Sequence, residues 1–434
     1  MEARIFESHR KSWTEEKRQQ AAALQNPACV TLPVMKITPR AFPFLLVLFG
    51  AAFALVPAQG QEKSGTKKNY LAFVGTYTTK TASKGIYAFR YAANSGKLTP
   101  IGGVAGETQD PSWVAIHPNR KFLYAVNEAG KNSMVSAFEI DTKAGKLTLL
   151  NQLPALGEDP CYLSFDRRGK YVLVADYTSG NVLVFPIGAD GKLGAVTANV
   201  RDEGTLGPNK QRQEGPHAHW IETSIDNRSA YVADLGLDRV LHYGFDATKG
   251  TLTAGPIRSE RSHSSLDESA KLAPGTGPRH AVFSSNGAQM YVLGELQSTV
   301  TAFDMTGTDD FVPTSYQKIS ALPQGFSGRN DAAEIAIHPN GKFLYASNRG
   351  RDSIALFHID PHTGKLALAG DFSVEGKEPR HFAIDPSGNY LLAEDQLSDK
   401  IVTFRINAKT GALTSTGDSV EVPSPVCLAF LPLD

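Results

Sequence analysis

One phrase recurs along the chain and limits the folds that it can adopt. It contains a short apolar strand, a turn rich in Pro, Asn, Gly and Lys, a second strand that often ends in Tyr-Val or Tyr-Ala, a polar loop and a third strand. The copies begin at Pro111, Pro160, Pro216, Pro278, near Ala333 and at Pro379. A turn and a fourth strand, such as GKLTLLNQL or GKLALAGDF, follow the third. Four antiparallel strands repeated every ~50 residues are typical of β-propeller blades.

Incomplete copies of the phrase stand at both ends of the repeat region. LAFVGTYT, GIYAFRY and GKLTPIG correspond to strands two, three and four without a first, whereas PSPVCLAF near the C-terminus is a first strand with nothing after it. Together they complete one more blade, in which Pro425–Phe430 pairs with Leu71–Thr78. Such closure removes the open sheet edges that favour aggregation. We therefore predict an all-β fold, a seven-bladed β-propeller over residues 69–434.

The N-terminal segment has a different character. Residues 1–34 lack the repeat, and Met35 is followed by two basic residues, an apolar run over 42–56 and a small residue at Gly60. This order predicts a secretory signal peptide over 35–60, a linker over 61–68 and an over-long extension before Met35. The alternative is a membrane anchor through 42–56, although that run is shorter than the ~20 apolar residues of a membrane span. We expect an exported protein, periplasmic or secreted, with no stable membrane span after cleavage.

Composition excludes several classes of function. The 44 Lys and Arg residues balance the 44 Asp and Glu residues, which argues against a nucleic-acid-binding surface. Cys161 and Cys427 lie within apolar strands and are predicted to be buried free thiols. No Cys/His zinc spacing, phosphate loop, dinucleotide fingerprint or G-x-S-x-G motif is present. We expect no metal and no cofactor.

The repeat also assigns the loops to the two ends of the ring. The Pro-x-His openings and the loops after strand two share one end, where a small-molecule site is expected beside the central channel. The HPNG-type turns lie at the other end. His117, His338 and Asp385 stand in those turns and are interpreted as turn-forming residues.

Four phrases resemble a known family. They are EGPHAHW (Glu214–Trp220), TGPRHAVFSSNGAQMYVLGEL (Thr276–Leu296), AAEIAIHPNGKFLYASNRGRDSIALF (Ala332–Phe357) and EPRHFAIDPSGNYLLAEDQ (Glu378–Gln396). Together they resemble the lactonase family of seven-bladed β-propellers, which includes bacterial propeller-type 6-phosphogluconolactonases and fungal carboxy-cis,cis-muconate cyclases. The similarity runs from about residue 69 to the C-terminus.

The resemblance implies an enzyme that hydrolyses a sugar lactone, 6-phosphogluconolactonase-like, or one that performs reversible lactone chemistry on a carboxylated substrate. By motif it places a catalytic histidine at His219 or His217, arginines at Arg279 and Arg349, and a glutamate at Glu295. The expected partner is a small, anionic lactone, bound by a monomer.

The histidines and arginines of the strand openings carry more than one interpretation. His217 and His219 flank one residue, so both point the same way in an extended segment. They could supply a base, contact substrate, bind a metal or be structural. Arg279-His280 and Arg380-His381 repeat one dipeptide. The candidates for substrate binding are His217, His280, Arg329, Arg380 and His381. Arginine binds two oxygens of a carboxylate or phosphate at once, but it can equally tie neighbouring blades together.

Glu295 and two loop arginines complete the candidate set. Glu295 replaces the Asn or Asp that other copies carry at the same position, and it could be a general base or pair with Arg279. Arg349 lies in a loop at the same end of the ring, where simple solvent exposure is the alternative. Arg329 leads into an irregular blade and could also reach the channel.

Two further questions stay open at this level. 6-Phosphogluconolactone is a cytosolic metabolite, whereas the signal predicts export, which favours a plain aldonolactone or a muconolactone-type substrate. A propeller can also be a non-catalytic binding platform, because a fold alone does not determine function.

Overall fold

The computed structural model describes residues 69–255, 270–306 and 313–433, which form seven antiparallel sheets. The predicted extension over 1–34, the signal peptide over 35–60 and the linker over 61–68 lie outside the described residues. Within the described part of the chain, no helix combines the length and apolar character needed to cross a bilayer.

Each sheet is one blade, numbered here in chain order. Blade 1 begins with β1 (Asn69–Thr76), β2 (Gly85–Ala92) and β3 (Lys97–Glu107). Blade 2 contains β4 (Trp113–Ile116), β5 (Phe122–Asn127), β6 (Met134–Asp141) and β7 (Lys146–Pro154). Blade 3 contains β8 (Pro160–Phe165), β9 (Tyr171–Asp176), β10 (Asn181–Pro186) and β11 (Ala198–Arg201). Blade 4 contains β12 (Ala218–Thr223), β13 (Ser229–Asp234), β14 (Arg239–Asp246), β15 (Thr251–Ala254) and β16 (Ala270–Lys271).

The remaining blades follow the same order. Blade 5 contains β17 (Pro278–Phe283), β18 (Gln289–Gly294), β19 (Thr299–Asp304) and β20 (Thr314–Ser320). Blade 6 contains β21 (Asp331–Ile337), β22 (Phe343–Arg349), β23 (Ser353–Ile359) and β24 (Leu366–Ser373). Blade 7 contains β25 (Pro379–Ile384), β26 (Tyr390–Asp395), β27 (Lys400–Ile406) and β28 (Leu413–Glu421). The last strand is β29 (Pro425–Pro432), and short 3₁₀ helices occupy Gly130–Asn132 and Gln396–Ser398.

The predicted ring closure is confirmed. β29 pairs antiparallel with β1, and the sheet order of blade 1 is β29-β1-β2-β3. Leu431 stands opposite Leu71, and both are fully buried in a core shared with blade 2. The two ends of the repeat region therefore form one blade, and the count of seven predicted from the repeat is correct.

Two strands differ from the expected pattern. The fourth strand of blade 3 was expected over GKLGAVTANV, but β11 covers only Ala198–Arg201, and Leu193 makes an isolated bridge to Ile187. Blade 4 gains a fifth strand, β16, which pairs with β14. Neither feature belongs to the repeat, so the repeat could not predict it.

The core lies between adjacent blades, because every blade is sandwiched by two others. This explains why the second strands, such as FLYAVN in β5 and YVLVAD in β9, are buried on both faces. The tyrosines of these strands tie neighbouring blades together. The hydroxyls of Tyr124, Tyr291 and Tyr345 donate to Gly191, Gly364 and Gly411 carbonyls of the next blade at 2.7–2.8 Å. A buried tyrosine needs such a partner, which accounts for its place in the phrase.

The turn residues do more than reverse the chain. Nδ1 of His117 accepts from the Asn119 backbone N–H at 3.1 Å, as expected of a turn former. Its Nε2 also lies 2.7 Å from the carbonyl oxygen of Gly169 in the next blade. His338 repeats both contacts, with Gly388 as its partner.

Shortening a buried side chain of the closing strand should destabilise the whole ring. We expect Leu431→Ala to lower the free energy of unfolding by about 2–5 kcal/mol, because it leaves a cavity between blades 1 and 2. Thermal unfolding followed by circular dichroism measures this. The matched control is Leu397→Ala, at a residue that is 68% exposed, and an equal loss in both variants would contradict the role given to closure.

Candidate active site

In most blades a β-bulge occurs near the start of the inner strand, which is the first strand of each blade and β29 in blade 1. In six of the seven blades the pairing between inner and second strand shifts register, leaving extra residues on the inner strand. Those residues are Cys161, His219, Arg279 with His280, Ala333 with Glu334, Arg380 and Val426. A bulge frees residues from the ladder and redirects their side chains. Four of the nine predicted site residues lie in bulges.

Glu295 is the electrostatic centre of the site. It follows β18 and is 3% exposed. One carboxylate oxygen, Oε2, lies 3.1 Å from Nε of Arg279 and 3.0 Å from a terminal nitrogen of Arg349. The other, Oε1, lies 2.5 Å from Arg212. Three guanidinium groups from three segments therefore meet on one buried carboxylate.

These contacts bear on the two roles left open for Glu295. Burial raises its pKa, but Arg349, Arg279, His219 and Arg212 outweigh burial, so the net pKa lies well below the ordinary range. Such a carboxylate is a weak base. The geometry therefore favours Glu295 as the group that holds the arginines, with Arg279 among its partners.

Arg279 is the most buried member of this group. Besides Glu295, it donates to the Ala333 carbonyl in blade 6. Burial lowers its pKa to about 10, with help from Arg349 and Arg380, so the guanidinium remains charged at neutral pH. Arg279 thus does tie two blades together, as one interpretation expected, while it remains beside the channel.

The two histidines of the EGPHAHW phrase lie beside one tyrosine. The ring of His217 stacks on Tyr177 at 4.6 Å, and that of His219 meets it edge-on at 5.3 Å. Nδ1 of His217 contacts the Tyr177 carbonyl at 2.9 Å, and its Nε2 lies 3.2 Å from Glu214 without a hydrogen bond.

His219 is the better candidate for a base. It is 4% exposed, and Nδ1 lies 3.5 Å from the Cys161 sulfur. Burial, Arg279 and His280 lower its pKa well below the ordinary value. The imidazole is therefore neutral at neutral pH and keeps a lone pair on one ring nitrogen, although its lowered pKa also makes it a weaker base than a free imidazole. Cys161 is a buried free thiol, as predicted, and Cys427 is likewise.

His280 and His381 form a layer beneath the arginines. From across the channel their rings meet Trp113 edge-on, each at 5.2 Å, and His280 also meets Tyr162 at 5.1 Å. Glu334 lies between them, with Oε2 at 3.0 Å from His280 Nδ1 and 3.7 Å from His381 Nε2. Aromatic and imidazole rings of blades 2, 3, 5 and 7 thus pack together beside Arg279.

Arg380 forms a second group of contacts, with Tyr77 and Glu128. Arg380 lies over the ring of Tyr77, 5.2 Å from its centroid, and 3.8 Å from Glu128. The Tyr77 hydroxyl donates to Glu128 at 2.7 Å. Arg380 also interacts electrostatically with Glu295, so the two groups lie near each other.

Arg329 is the one sequence candidate that the structure does not bring to the arginine cluster. Its side chain is 89% exposed and pairs with Asp331 at 3.1 Å. The expectation that it reaches the channel gains no support, since the exposed side chain pairs with Asp331 and the backbone carbonyl packs against Gly350.

Sequence reasoning missed several contributors. Arg212 lies in the long segment between blades 3 and 4, which has no counterpart in the repeat. The unusual length of that segment was the signal that could have pointed to it. Tyr177, Glu334 and Glu394 were missed because their partners come from other segments of the chain. Among the described residues, no grouping of His, Cys, Asp and Glu has the geometry of a metal site.

Comparisons with known proteins agree with this geometry. A family model described as "Lactonase, 7-bladed beta-propeller" matches residues 71–430. The chain belongs to the seven-bladed β-propeller lactonase family. The resemblance read from the four phrases is therefore confirmed.

Relatives within the lactonase family cover most of the chain. It is 35% identical over 363 residues to a 6-phosphogluconolactonase of Bacillus subtilis, covering 83% of this chain and 98% of the relative. A 6-phosphogluconolactonase of Formosa agariphila is 34% identical, covering 71% and 85%. Among solved structures, a periplasmic gluconolactonase of Pseudomonas aeruginosa is similar with a TM-score of 0.75 and 31% identity, covering 84% of this chain and 99% of that one.

The charge on Glu295 should stabilise the fold in a pH-dependent way. Because its folded pKa is depressed, its contribution is present above the unfolded pKa of ~4.3 and is lost as pH falls through the folded value. We expect Glu295→Gln to cost about 3–5 kcal/mol at neutral pH, because it leaves buried guanidinium groups unpaired. The difference from wild type should shrink in strong acid.

Thermal unfolding from neutral to strongly acidic pH measures this difference. The matched control is Glu139→Gln, at an exposed position of β6. A destabilisation of Glu295→Gln that stays constant down to the lowest pH at which the protein folds would show that the carboxylate charge is not responsible.

Proposed function

We propose that this chain hydrolyses a lactone at the channel-mouth site, defined as His219, Arg279, Glu295, Arg349 and Arg212. The observation that carries the proposal is the neutral, buried His219 beside guanidinium groups gathered on Glu295. A base and fixed positive charges side by side are what acyl transfer to water requires. Family membership points to the same chemistry.

The reaction follows from these charges. His219 takes a proton from water as the water oxygen attacks the lactone carbonyl carbon. The carbonyl oxygen becomes an oxyanion, which Arg279 and Arg349 stabilise because their positive charges are already in place. The ring C–O bond then breaks, and the leaving oxygen takes the proton from His219. The product is an open-chain hydroxy acid.

The substrate should be anionic. Four arginines, Arg212, Arg279, Arg349 and Arg380, surround the two carboxylates of Glu295 and Glu128, which leaves an excess of positive charge. Arg212 is the most accessible, with 35% of its side chain exposed, and offers a fork to a phosphate or carboxylate. The favoured substrates are a 6-phosphogluconolactone-like sugar lactone or a related aldonolactone. A muconolactone-type substrate would contact the same arginines.

Hydrolysis can be tested directly. Purified protein with EDTA present should accelerate the opening of at least one lactone from a panel of phosphorylated, plain and carboxylated compounds, measured by acid release above the spontaneous rate. Arg279→Ala and His219→Asn should each reduce kcat/KM about tenfold or more. Arg201→Ala, on the outermost strand of blade 3, is the control and should retain activity.

The outcomes separate the alternatives. Acceleration of no lactone in the panel would refute the enzyme proposal and favour a non-catalytic binding platform. Full activity of Arg279→Ala would remove that residue from the site.

We further propose that the protein acts outside the cytosol as a monomer, after cleavage of the signal peptide over 35–60. The sequence order at Met35 supports this, and the Pseudomonas aeruginosa relative is described as periplasmic. Expression of the full gene in a bacterium, followed by N-terminal sequencing of the periplasmic protein, should give a mature start near Gln61. A start at Met1 in the cytosol would contradict the proposal.

A further inference from the structure

A string of four buried side chains runs beneath the channel-mouth site. His280 Nδ1 lies 3.0 Å from Glu334 Oε2, the same oxygen lies 3.7 Å from His381 Nε2, and His381 Nδ1 lies 2.6 Å from Glu394 Oε2. The exposed fractions of the four residues range from 0% to 7%. Lactone opening as derived above uses none of these contacts.

The string crosses three blades. His280 and Glu334 are bulge residues of blades 5 and 6, whereas His381 and Glu394 stand opposite each other in β25 and β26 of blade 7. Trp113 and Tyr162 cover the rings from the other side of the channel. Shielding from water strengthens every charge interaction within the string.

The surroundings assign different charge states to the two histidines. Burial lowers the pKa of His381, but Glu394 and Glu334 outweigh burial and Arg279, so the net pKa is raised. Burial, Arg279 and His381 lower the pKa of His280 well below its ordinary value. The two glutamates therefore favour the protonated form of His381, whereas the surroundings of His280 favour its neutral form.

Other charged groups face the string without sharing its hydrogen bonds. Arg380 and Glu295 act on His280, Glu222 of β12 acts on Glu334, and Cys427 of β29 lies near both glutamates. Burial raises the pKa of Glu334 and of Glu394, and the neighbouring His381 opposes that rise.

We propose that Glu334 is a positioning residue: it accepts the Nδ1 hydrogen of His280, and with His381 and Glu394 it fixes the tautomer and orientation of that ring. His280 in turn packs edge-on against His219 at 5.1 Å and lies 3.4 Å from a terminal nitrogen of Arg279. Through His280, Glu334 thereby holds the side chains of His219 and Arg279 in position. The expected effect on catalysis rests on the proposed function, whereas the tautomer and charge states do not.

The states of the histidines can be read without any activity. In the full-length protein, ¹⁵N-imidazole NMR should show His280 neutral with its hydrogen on Nδ1, and His381 as an imidazolium at neutral pH. Signals are assigned from His280→Gln and His381→Gln. In Glu334→Gln the amide can donate to Nδ1, so His280 should move to the Nε2–H tautomer, and His381 should lose its proton at lower pH.

Two NMR outcomes would overturn the proposal. One is a neutral His381 at neutral pH in the wild type, and the other is unchanged histidine signals in Glu334→Gln. If Glu334→Gln does not fold, Glu334→Asp replaces it. Its shorter carboxylate should lengthen the contact to His280 and lower the pH at which His381 titrates by a smaller amount.

Enzyme kinetics provide a second test of the role proposed for Glu334. Glu334→Gln should reduce kcat about tenfold or more with KM changed less than about threefold, and its alkaline loss of activity should begin at lower pH, because His381 deprotonates earlier. Glu334→Asp should recover part of kcat. The control is Glu139→Gln, at an exposed position of β6 away from the string, which should keep the wild-type pH profile.

The two proposals fail separately. A wild type that opens no lactone refutes the proposed function, and the NMR measurement still decides the string. An active wild type whose kcat and alkaline limb are unchanged by Glu334→Gln refutes the positioning role. Lower thermal stability with an unchanged pH profile would indicate a structural role alone and would also refute it.

Discussion

The pairing of β29 with β1 is the constraint on which the rest of the structure depends. It supplies the inner strand of blade 1 and so completes a ring of seven inner strands around one channel. Only a closed ring brings side chains of blades 2, 5 and 7 into contact across that channel, as Trp113, His280 and His381 show. Local strand pairing within a blade cannot produce such contacts.

The bulges convert this regular ring into a site. A strand in perfect register alternates its side chains between the two neighbouring blades, where they pack in the core. The unpaired residues of the inner strands escape this alternation, and they include His219, Arg279, His280, Glu334 and Arg380. The ladder hydrogen bonds that a bulge gives up are thus exchanged for polar side chains beside the channel.

Much of the site could be predicted, and what could not has a physical cause. His219, Arg279, Glu295 and Arg349 were predicted to share one end of the ring, and the structure does place the three charged residues in contact. Arg212 was missed because its segment lies outside the repeat. The expectation for Arg329 gained no support because a loop position does not determine which way a side chain points. Glu334 was missed because its partners come from other blades.

The sequence by itself determined the all-β class, the seven blades, the split blade that closes the ring and the end of the ring that carries the polar residues. These follow from periodicity and turn chemistry, which act over a few neighbouring residues. Only the tertiary structure decided that Glu295 contacts three arginines, that burial and Arg279 lower the pKa of His219, and that Glu394 and Glu334 raise the pKa of His381. Protonation depends on burial and on charges brought together from distant segments, and neither is written in any local stretch of sequence.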